Sequence, residues 1–509
     1  MNTPTRLPSP VTRPLSLALL AATALSAVAA PTLVDDSPDR VQTPLAVPFK
    51  CLGAIKPRPA SAIKASNWTL GCEGLDRDFD DFSKFREYIE PLGIKTIRLQ
   101  AGWAKTEKVK GVLDFAWLDE IVDYAVGHGL NVLLETGYGN PAYGEGGGGM
   151  LLGAGFPSSE EAWAAWDRWV DELSRRYRGK VRDFAMWNEP DIGIRYMPDG
   201  SRRRLPPEER KTPAEIAAQN VRTARIIKRN VPDARIGALS LAQNNAAFLE
   251  ECLKAMGEDV KLFAWVIYHG YCFNPDASYD EVERQKAVVK RYNPAMELRQ
   301  GENGCPSGWV GSSALAKWPW SEYSQAKWDM RRMLGDLGHD VESSVFTMMG
   351  GGENKSLTRR ARDMSVIDLK VAYYAVQNVA SVFDCTLRRR TAGLTISTND
   401  ATVAVYEYRK PGKDGAPVYV FWDHGDLSQF DAKTNKMCPT DGFQTRPVAF
   451  TVRRALKEPV WVDLMTGKVY EFPRRFVLPK GVGETCVYKM VPVYDSPCLL
   501  TERSVVLGE

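Results

Sequence analysis

Two glutamates follow apolar segments of this 509-residue sequence and are well placed for acid–base chemistry. Glu189 lies in the run 187–191, Trp-Asn-Glu-Pro-Asp, directly after the apolar segment 181–186. Because proline lacks the N–H that a β-ladder requires, Pro190 ends the strand and places Glu189 at its tip or in the loop beyond. A carboxyl group held there beside tryptophan is a candidate proton donor.

The second glutamate is Glu302, in the run 298–304, Leu-Arg-Gln-Gly-Glu-Asn-Gly, which also ends an apolar segment. Its rival is Glu297, at the other end of that segment and outside the Asn-Gly turn. Hydrolysis of a glycosidic bond needs two carboxyl groups, one to protonate the leaving oxygen and one to act on the anomeric carbon. The pair therefore predicts an enzyme that cleaves sugars.

Repeated β-α units between residues 68 and 384 would position these two residues. Apolar segments predict eight strands, at 68–72, 95–100, 130–135, 181–187, 235–240, 262–268, 296–301 and 343–349. Apolar residues at helical spacing predict eight helices, at 79–92, 117–129, 160–177, 213–230, 245–256, 280–291, 323–337 and 368–383. This alternation predicts an α/β fold, a (β/α)8 TIM barrel whose fourth and seventh strand tips face one another across the mouth.

An open doubly wound sheet is the runner-up fold. It would lead one to expect a glycine-rich phosphate turn after the first strand, and the residues at 71–74, Gly-Cys-Glu-Gly, lack that spacing. A chain of 509 residues has room for a barrel and a smaller domain, since single cores rarely exceed roughly 300 residues. We expect a catalytic barrel over 67–386.

The pattern after residue 386 changes to short alternating runs separated by turns, which predicts a β-sandwich-like accessory domain over 387–509. Residues 30–66, rich in proline and alanine, form a lead-in segment, of which 44–56 is expected to pair with the C-terminal domain.

The N-terminal residues 1–29 have the pattern of a secretory signal peptide. Arg6 and Arg13 precede an apolar stretch over 15–30, and the small residues 27–29 supply a cleavage site. A membrane anchor is the alternative, but the run is short for a span and Pro31 interrupts it. We expect a secreted or periplasmic protein without a membrane span after cleavage.

Charge and cysteine content exclude several classes of partner. The net charge is +3, and removal of the two arginines in residues 1–29 makes it +1 (64 minus 63), so no nucleic acid partner is implied. Nine cysteines permit disulfides, but their pairing stays open. With four histidines and no cluster at ligand spacing, neither a metal site nor an organic cofactor is expected.

The motifs resemble the retaining glycoside hydrolases of clan A, whose barrels carry an Asn-Glu pair after strand four and a glutamate after strand seven. The resemblance covers most of residues 68–384 and is strongest at 187–190, Trp-Asn-Glu-Pro. The segments 96–103 and 111–119 are similar to the β-xylosidase and α-L-iduronidase family in particular. Two departures are Gly301, where many relatives have Thr or Ser, and Phe-Thr-Met-Met-Gly at 346–350, where many have Trp.

The resemblance implies roles for individual residues. Glu189 becomes the acid/base and Glu302 the nucleophile, while Asn188 binds the substrate 2-hydroxyl. Arg98 orients the nucleophile, and the two pocket positions after strand six are His269 and Tyr271. From the residues alone, Arg98 is also compatible with an inward arginine paired in the barrel core, and His269 with a structural histidine.

Further substrate contacts are expected from aromatic and acidic residues near strand ends. Aromatic faces stack on sugars, so Trp103, Tyr138 and Trp309 are candidates, with ordinary loop packing as the alternative for the loop aromatics. Glu73, after the first strand, either contacts substrate or pairs with its neighbours Asp76 and Arg77.

These observations predict a retaining enzyme that cleaves β-glycosidic bonds in plant- or algal-type oligosaccharides or polysaccharides. The long loops at 137–156, 191–212 and 303–322 favour a pocket and exo action, as in a β-xylosidase, β-galactosidase or β-glucosidase, although an endo-acting cleft stays open. The alternative is a catalytically inactive carbohydrate-binding barrel, against which the presence of both glutamates argues. An esterase would need a Gly-x-Ser-x-Gly elbow at a strand end, and the sequence has none there.

Overall fold

The computed structural model describes residues 33–144, 155–196, 202–350, 354–391, 393–410, 415–425, 427, 430–431, 436–437, 441–479 and 485–508. The predicted signal peptide lies outside the described residues, as do residues 145–154 of the predicted loop after the third strand. Within the described ranges, no helix has both the length and the apolar character that crossing a bilayer requires.

The first half of the strand set, in chain order, is β1 (Cys51–Ala54), β2 (Trp68–Gly71), β3 (Thr96–Gln100), β4 (Asn131–Thr136), β5 (Asp183–Met186), β6 (Ile194–Tyr196), β7 (Arg202–Arg204), β8 (Arg235–Leu241), β9 (Trp265–Tyr268), β10 (Glu297–Gln300), β11 (Ser343–Val345), β12 (Thr358–Arg360) and β13 (Val366–Leu369). The second half is β14 (Arg388–Arg389), β15 (Ile396–Ser397), β16 (Val403–Arg409), β17 (Pro417–Asp423), β18 (Phe430–Asp431), β19 (Lys436–Met437), β20 (Arg446–Val452), β21 (Pro459–Asp463), β22 (Lys468–Glu471), β23 (Val477–Pro479), β24 (Cys486–Val493) and β25 (Cys498–Glu502). The α-helices are α1 (Ile89–Leu92), α2 (Trp103–Thr106), α3 (Ala116–Gly127), α4 (Glu160–Arg176), α5 (Pro213–Asn230), α6 (Ala246–Met256), α7 (Tyr279–Tyr292), α8 (Glu322–Gly338), α9 (Val371–Val382) and α10 (Arg503–Val506).

Eight parallel strands form the predicted barrel. Their order is β10-β9-β8-β5-β4-β3-β2-β11, and a parallel bridge between Arg299 and Glu342 joins the two ends, so the sheet is nearly closed. The strands are buried along most of their length, as expected where helices cover one face of a parallel sheet and side chains fill the other. The predicted (β/α)8 fold is confirmed.

Several predicted elements are shorter than expected, among them the first helix and the eighth strand. The segment 79–92 is α-helical only over α1, because a helix that began at 79 would hold Pro91 in its interior, where the ring clashes with a carbonyl one turn earlier. The eighth strand, predicted over 343–349, ends at Val345. Beyond it, Phe346 N–H donates to Asn303 O at 2.8 Å and Met348 N–H to Gly71 O at 2.8 Å, so the backbone bonds to other segments at the mouth.

The C-terminal residues form two antiparallel sheets. The larger has the order β1-β22-β21-β25-β17-β16-β14 and the smaller β15-β20-β24-β23. The two sheets pack together, with the rings of Phe421 and Phe450 4.9 Å apart. Strand β1, within the segment 44–56, pairs antiparallel with β22, so the lead-in segment completes an edge of the larger sheet.

Helix α8 is buried between the barrel and these sheets. Lys327 on α8 has a fully buried side chain and pairs with Asp495 at 2.5 Å. Asp276, after β9, accepts a 3.3 Å hydrogen bond from the indole of Trp422 in β17. Barrel and accessory sheets belong to one compact unit, Val34–Glu509. The barrel mouth is thereby fixed against the accessory sheets.

Candidate active site

Glu189 lies just beyond β5, where the backbone is strained. Trp187 and Glu189 have φ angles of 57° and 48°, a region that side chains with a Cβ rarely adopt. The turn is held from the next strand, because Glu189 N–H donates to Ser240 O at 2.9 Å and the Asp191 carboxylate accepts from Ala242 N–H at 2.7 Å. The chain thus tolerates an unfavourable turn that directs Glu189 into the mouth.

Glu302 follows β10, and its carboxylate is held at both oxygens. Arg98 Nη1 donates to Oε2 at 2.8 Å and the Tyr271 hydroxyl to Oε1 at 3.1 Å. Its rival Glu297 is exposed at the opposite end of β10. The structure therefore brings Glu302, and not Glu297, to the end of the barrel where Glu189 lies.

His269 lies between the two carboxylates. Its Nδ1 is 2.8 Å from Glu189 Oε1 and 4.0 Å from Glu302 Oε2. One oxygen of each carboxylate and one ring nitrogen of His269 lie within 4.8 Å of one another. This separation is that of two carboxyl groups able to act on a single bond.

Arg98 is the hub of a buried polar network. Its side chain is 1% exposed, and besides Glu302 it donates to Glu73 at 2.6 Å, to Glu135 at 2.7 Å and to the Asn188 side-chain oxygen at 2.7 Å. A planar guanidinium with five donors can serve several acceptors at once. Arg98 therefore fixes Asn188 and Glu302 relative to one another.

Tyr138 supports this network rather than presenting an open face. Its hydroxyl accepts from Asn188 Nδ2 at 2.8 Å and from Gln100 Nε2 at 3.1 Å, and the residue is 7% exposed. With its oxygen bound to Arg98 and its amide nitrogen to Tyr138, Asn188 is held in one orientation.

The network separates the protonation states of its carboxyl groups. Burial acts to raise the pKa of Glu302, but His269 and Arg98 outweigh it and lower this pKa to about 2. Burial raises the pKa of Glu73 to about 7. Arg98 acts to lower this pKa, and the negative charge of Glu302 acts to raise it. Glu302 is consequently ionised at neutral pH.

The pKa of His269 is also shifted. Burial acts to lower it, but Glu302 and Glu189 outweigh this effect, so the pKa lies above the ordinary value. His269 Nε2 is buried and has no hydrogen-bond partner among the described residues. The imidazole is thus bound to the carboxylates through Nδ1 alone.

Gly301 leaves the space that the Ile267 side chain fills. A Cβ added at Gly301 would lie 2.3 Å from Ile267 Cγ2 and 3.5 Å from His269 Nε2. A threonine or serine there would clash with Ile267, so this departure from many clan A relatives follows from how the sixth and seventh strands pack here.

The two tryptophans expected near substrate differ in exposure. Trp103 is fully buried, stacks on Tyr143 at 5.4 Å and donates to Glu107 at 2.7 Å. No face of Trp103 is open to a ligand. Trp309, in the loop after β10, is 65% exposed and available for stacking.

Two residues of the network, Glu135 and Gln100, were not predicted from the sequence. Glu135 and Gln100 end β4 and β3, and their side chains are joined by a 3.2 Å hydrogen bond. The rule that singled out Glu189, a polar residue closing an apolar strand, also applies to these two. Arg77 pairs with Asp76 at 3.1 Å and with Gln100 at 2.6 Å, so it extends the network to the loop after β2.

The acidic and imidazole groups also satisfy the distance requirement of a metal site, since Glu189, His269 and Glu302 each offer a ligand atom. Their atoms are engaged otherwise. Both oxygens of Glu302 accept hydrogen bonds, His269 Nδ1 lies at hydrogen-bond distance from Glu189, and the Arg98 guanidinium would repel a cation. Proton transfer fits this arrangement better than metal ligation.

The chain is similar to glycoside hydrolases in part of its sequence and in its fold. The family model of glycoside hydrolase family 42, described as β-galactosidase, matches residues 79–143, which include the segments 96–103 and 111–119. No curated protein matches the sequence. A family 39 glycoside hydrolase from the gut symbiont Bacteroides cellulosilyticus WH2 aligns at 16% identity with a TM-score of 0.61, covering 89% of this chain and 83% of that one.

Two further solved structures align over similar lengths. A monomeric β-xylosidase from Caulobacter crescentus CB15 shows 16% identity and a TM-score of 0.54, covering 89% of this chain and 97% of that one. A GH30 endoxylanase from Clostridium papyrosolvens C71 shows 12% identity and a TM-score of 0.52, covering 89% and 98% respectively. The clan A resemblance is confirmed at the level of the fold: the chain has the glycoside hydrolase fold of families 39 and 30.

Proposed function

We propose that the chain is a retaining glycosidase that cleaves β-glycosidic bonds by double displacement. The observation that carries the proposal is the approach of Glu189 and Glu302 oxygens to within 4.8 Å. Retaining enzymes keep their carboxyl groups about 5 Å apart, whereas inverting enzymes need about 6.5–9.5 Å to admit a water.

In the first step, Glu302 attacks the anomeric carbon as the bond to the leaving oxygen breaks. Its low pKa keeps it ionised, and Arg98 and Tyr271 hold its two oxygens. Glu189 gives its proton to the leaving oxygen, so the first product departs as an alcohol. The sugar remains as an ester of Glu302.

In the second step, water attacks the anomeric carbon of this ester. Glu189, now a carboxylate, takes a proton from the water, and Glu302 departs as a carboxylate. Esterification has removed the negative charge of Glu302. With one fewer anion beside it, Glu189 is suited to act as a base in this step. Two displacements at one carbon leave its configuration retained.

The proposed substrate is a β-linked oligosaccharide or polysaccharide of plant or algal type, attacked from its end. Two structural neighbours are a β-xylosidase and an endoxylanase, and the matching family model is that of a β-galactosidase, which together support β-linked substrates. The long loops after β4, β5 and β10 support a pocket and thus exo action. The signal-like residues 1–29 support a secreted or periplasmic location.

Hydrolysis of a panel of aryl β- and α-glycosides tests this proposal. We expect the wild type to hydrolyse glycosides of one sugar. Glu302→Gln should lose about 10⁴-fold or more of this activity, and Glu189→Gln should remain active only on substrates with activated leaving groups. Glu297→Gln, an exposed glutamate on the same strand, is the matched control and should keep full activity. Binding without turnover of aryl glycosides or natural oligosaccharides would instead favour the inactive carbohydrate-binding barrel.

A further inference from the structure

A cavity of about 310 Å³ lies beside the barrel mouth, lined by the segment after β11, the hairpin β12–β13 and the first residue before α9. Four cationic side chains line it, those of Arg359, Arg360, Arg362 and Lys370, and none of the described lining residues is acidic. A cavity of this size holds a small ligand or a substituted sugar unit. Its lining is therefore suited to a negatively charged group.

Lys370 is the buried cation of this cavity. The residue is 2% exposed, and its ammonium donates to Ser307 Oγ at 2.9 Å and to Asn354 O at 3.3 Å. No carboxylate of the described residues forms an ion pair with it within 4.0 Å. Burial lowers its pKa to about 8, although Asp329 and Asp368 favour the charged form from farther away. An anion bound here would add a direct partner and so offset part of the cost of burying the charge.

The arginines add surplus positive charge. Arg359 pairs with Asp368 at 2.8 Å and also with Glu322, and Arg360 pairs with Asp80 at 2.8 Å. Arg362 is exposed and makes no ion pair with any described residue. Arg362 is therefore a second cation, beside Lys370, that is available to an anion. Its guanidinium group can bind a planar or tetrahedral oxyanion through several donors at once.

The cavity is linked to the catalytic residues through neighbouring residues of the chain. Its lining residues Asn354 and Ser356 flank Lys355, whose ammonium lies 4.8 Å from the ring centre of Tyr271, the hydrogen-bond donor to Glu302. Ser307, which binds Lys370, lies two residues before the exposed Trp309. These neighbours place the cavity close enough to Glu302 to contact a substituent on a bound sugar chain.

We propose that this cavity binds an oxyanion substituent, a sulfate ester or a carboxylate, carried by the sugar chain that the active site cleaves. The inference rests on the proposed glycosidase function. It narrows the substrate class to acidic oligosaccharides or polysaccharides, because a neutral chain would offer no ion-pair partner to Arg362 and Lys370, which pair directly with none of the described carboxylates.

Calorimetric titration tests the anion site without reference to turnover. Wild-type protein is titrated with sodium sulfate and with sodium acetate, with chloride keeping the ionic strength constant. We expect one of the two anions to bind, Arg362→Gln to weaken its binding about 10-fold, and Lys370→Met to abolish it. Arg178→Gln, an exposed arginine after α4 without a described ion pair, is the control. Failure of both anions to bind, or equal weakening in the control, overturns the proposal.

Kinetics then separate a substituent on the substrate from a free anion. The KM of an oligosaccharide bearing sulfate or uronate is compared with that of its neutral counterpart in wild type and in Arg362→Gln. We expect the ratio of the two KM values to change about 10-fold in the variant. If the ratio is unchanged although the wild type binds the anion, the cavity binds free anions and the proposal of an acidic substrate is overturned. Absence of any turnover would instead contradict the proposed function, while the titration still decides the anion site.

Discussion

Arg98 Nη1 donates a 2.8 Å hydrogen bond to Glu302 Oε2, although the two residues are 204 positions apart in sequence. The same nitrogen lies 2.6 Å from Glu73 Oε1, so one donor serves the nucleophile candidate and a second buried carboxyl group. Arg98 and His269 lower the pKa of Glu302, whereas burial raises that of Glu73. The barrel thereby keeps the reacting carboxylate ionised and makes Glu73 the more readily protonated of the two.

Replacement of Arg98 by lysine is expected to lower kcat/KM by about 10²-fold, because a single ammonium cannot hold Glu302, Asn188 and Glu135 together. The pKa of Glu302 should rise, since part of the favourable charge interaction is lost, and the acidic limb of the pH–rate profile should move to higher pH. Arg299→Lys changes a buried arginine of the same barrel that pairs with Glu342 at 3.2 Å and serves as control. An acidic limb that stays in place in Arg98→Lys would refute the role given to Arg98.

Glu73 predicts an unusual dependence of stability on pH. Its pKa is raised in the folded protein to about 7, so its contribution to stability is fully present below its ordinary pKa of 4.5 and is lost as the pH rises towards and through 7. Glu73→Gln keeps the shape without the titration. Thermal unfolding gives the difference between the Tm of this variant and that of the wild type at each pH. This difference should shift in favour of the variant from pH 5 to pH 8. A constant difference would show that Glu73 does not titrate in this range.

The two tryptophans should respond differently to truncation. Trp103→Ala removes a fully buried ring that contacts Tyr143, Trp166 and Trp169, and should cost about 3–5 kcal/mol in the free energy of unfolding. Trp309→Ala, at an exposed position, should change stability by less than about 0.5 kcal/mol and raise KM for oligosaccharides more than for aryl glycosides. Denaturant unfolding and steady-state kinetics on both variants distinguish these roles, and similar stability losses would contradict them.

The contact between barrel and accessory sheets depends on a buried ion pair. Asp495→Asn leaves the Lys327 ammonium, itself fully buried, without its carboxylate partner at 2.5 Å. Breaking a buried pair from one side costs about 3–5 kcal/mol. Urea unfolding should show this loss, whereas Asp78→Asn, which breaks an exposed pair with Lys105, should lose at most about 1 kcal/mol. Equal losses in the free energy of unfolding would show that the buried ion pair stabilises the protein no more than the exposed one.

The sequence was most informative where burial imposes a pattern. The eight barrel strands are apolar because they are covered on both faces, so each could be located within a few residues. The placement of Glu189 and Glu302 after the fourth and seventh strands followed from that count. Their facing arrangement then follows from barrel closure alone.

What the sequence could not provide is the direction in which a side chain points. Trp103 and Trp309 are the same residue type and each follows a barrel strand, yet one is in the core at the start of α2 and the other is exposed in a loop. The network around Arg98 joins residues of several strands, and sequence spacing does not encode such contacts. The hairpin β12–β13 was also missed, because β12 is polar and the apolar residues of β13 span only four positions, too few to identify a strand.

The stereochemistry of the first product tests the central claim most directly. Proton NMR of the anomeric signal, recorded during the first minutes of hydrolysis of the preferred aryl β-glycoside, shows which anomer forms before mutarotation. A β-anomer released first, lost in Glu302→Gln, is the result that double displacement through Glu302 predicts. An α-anomer released first would mean single displacement by water and would contradict the roles assigned to Glu189 and Glu302.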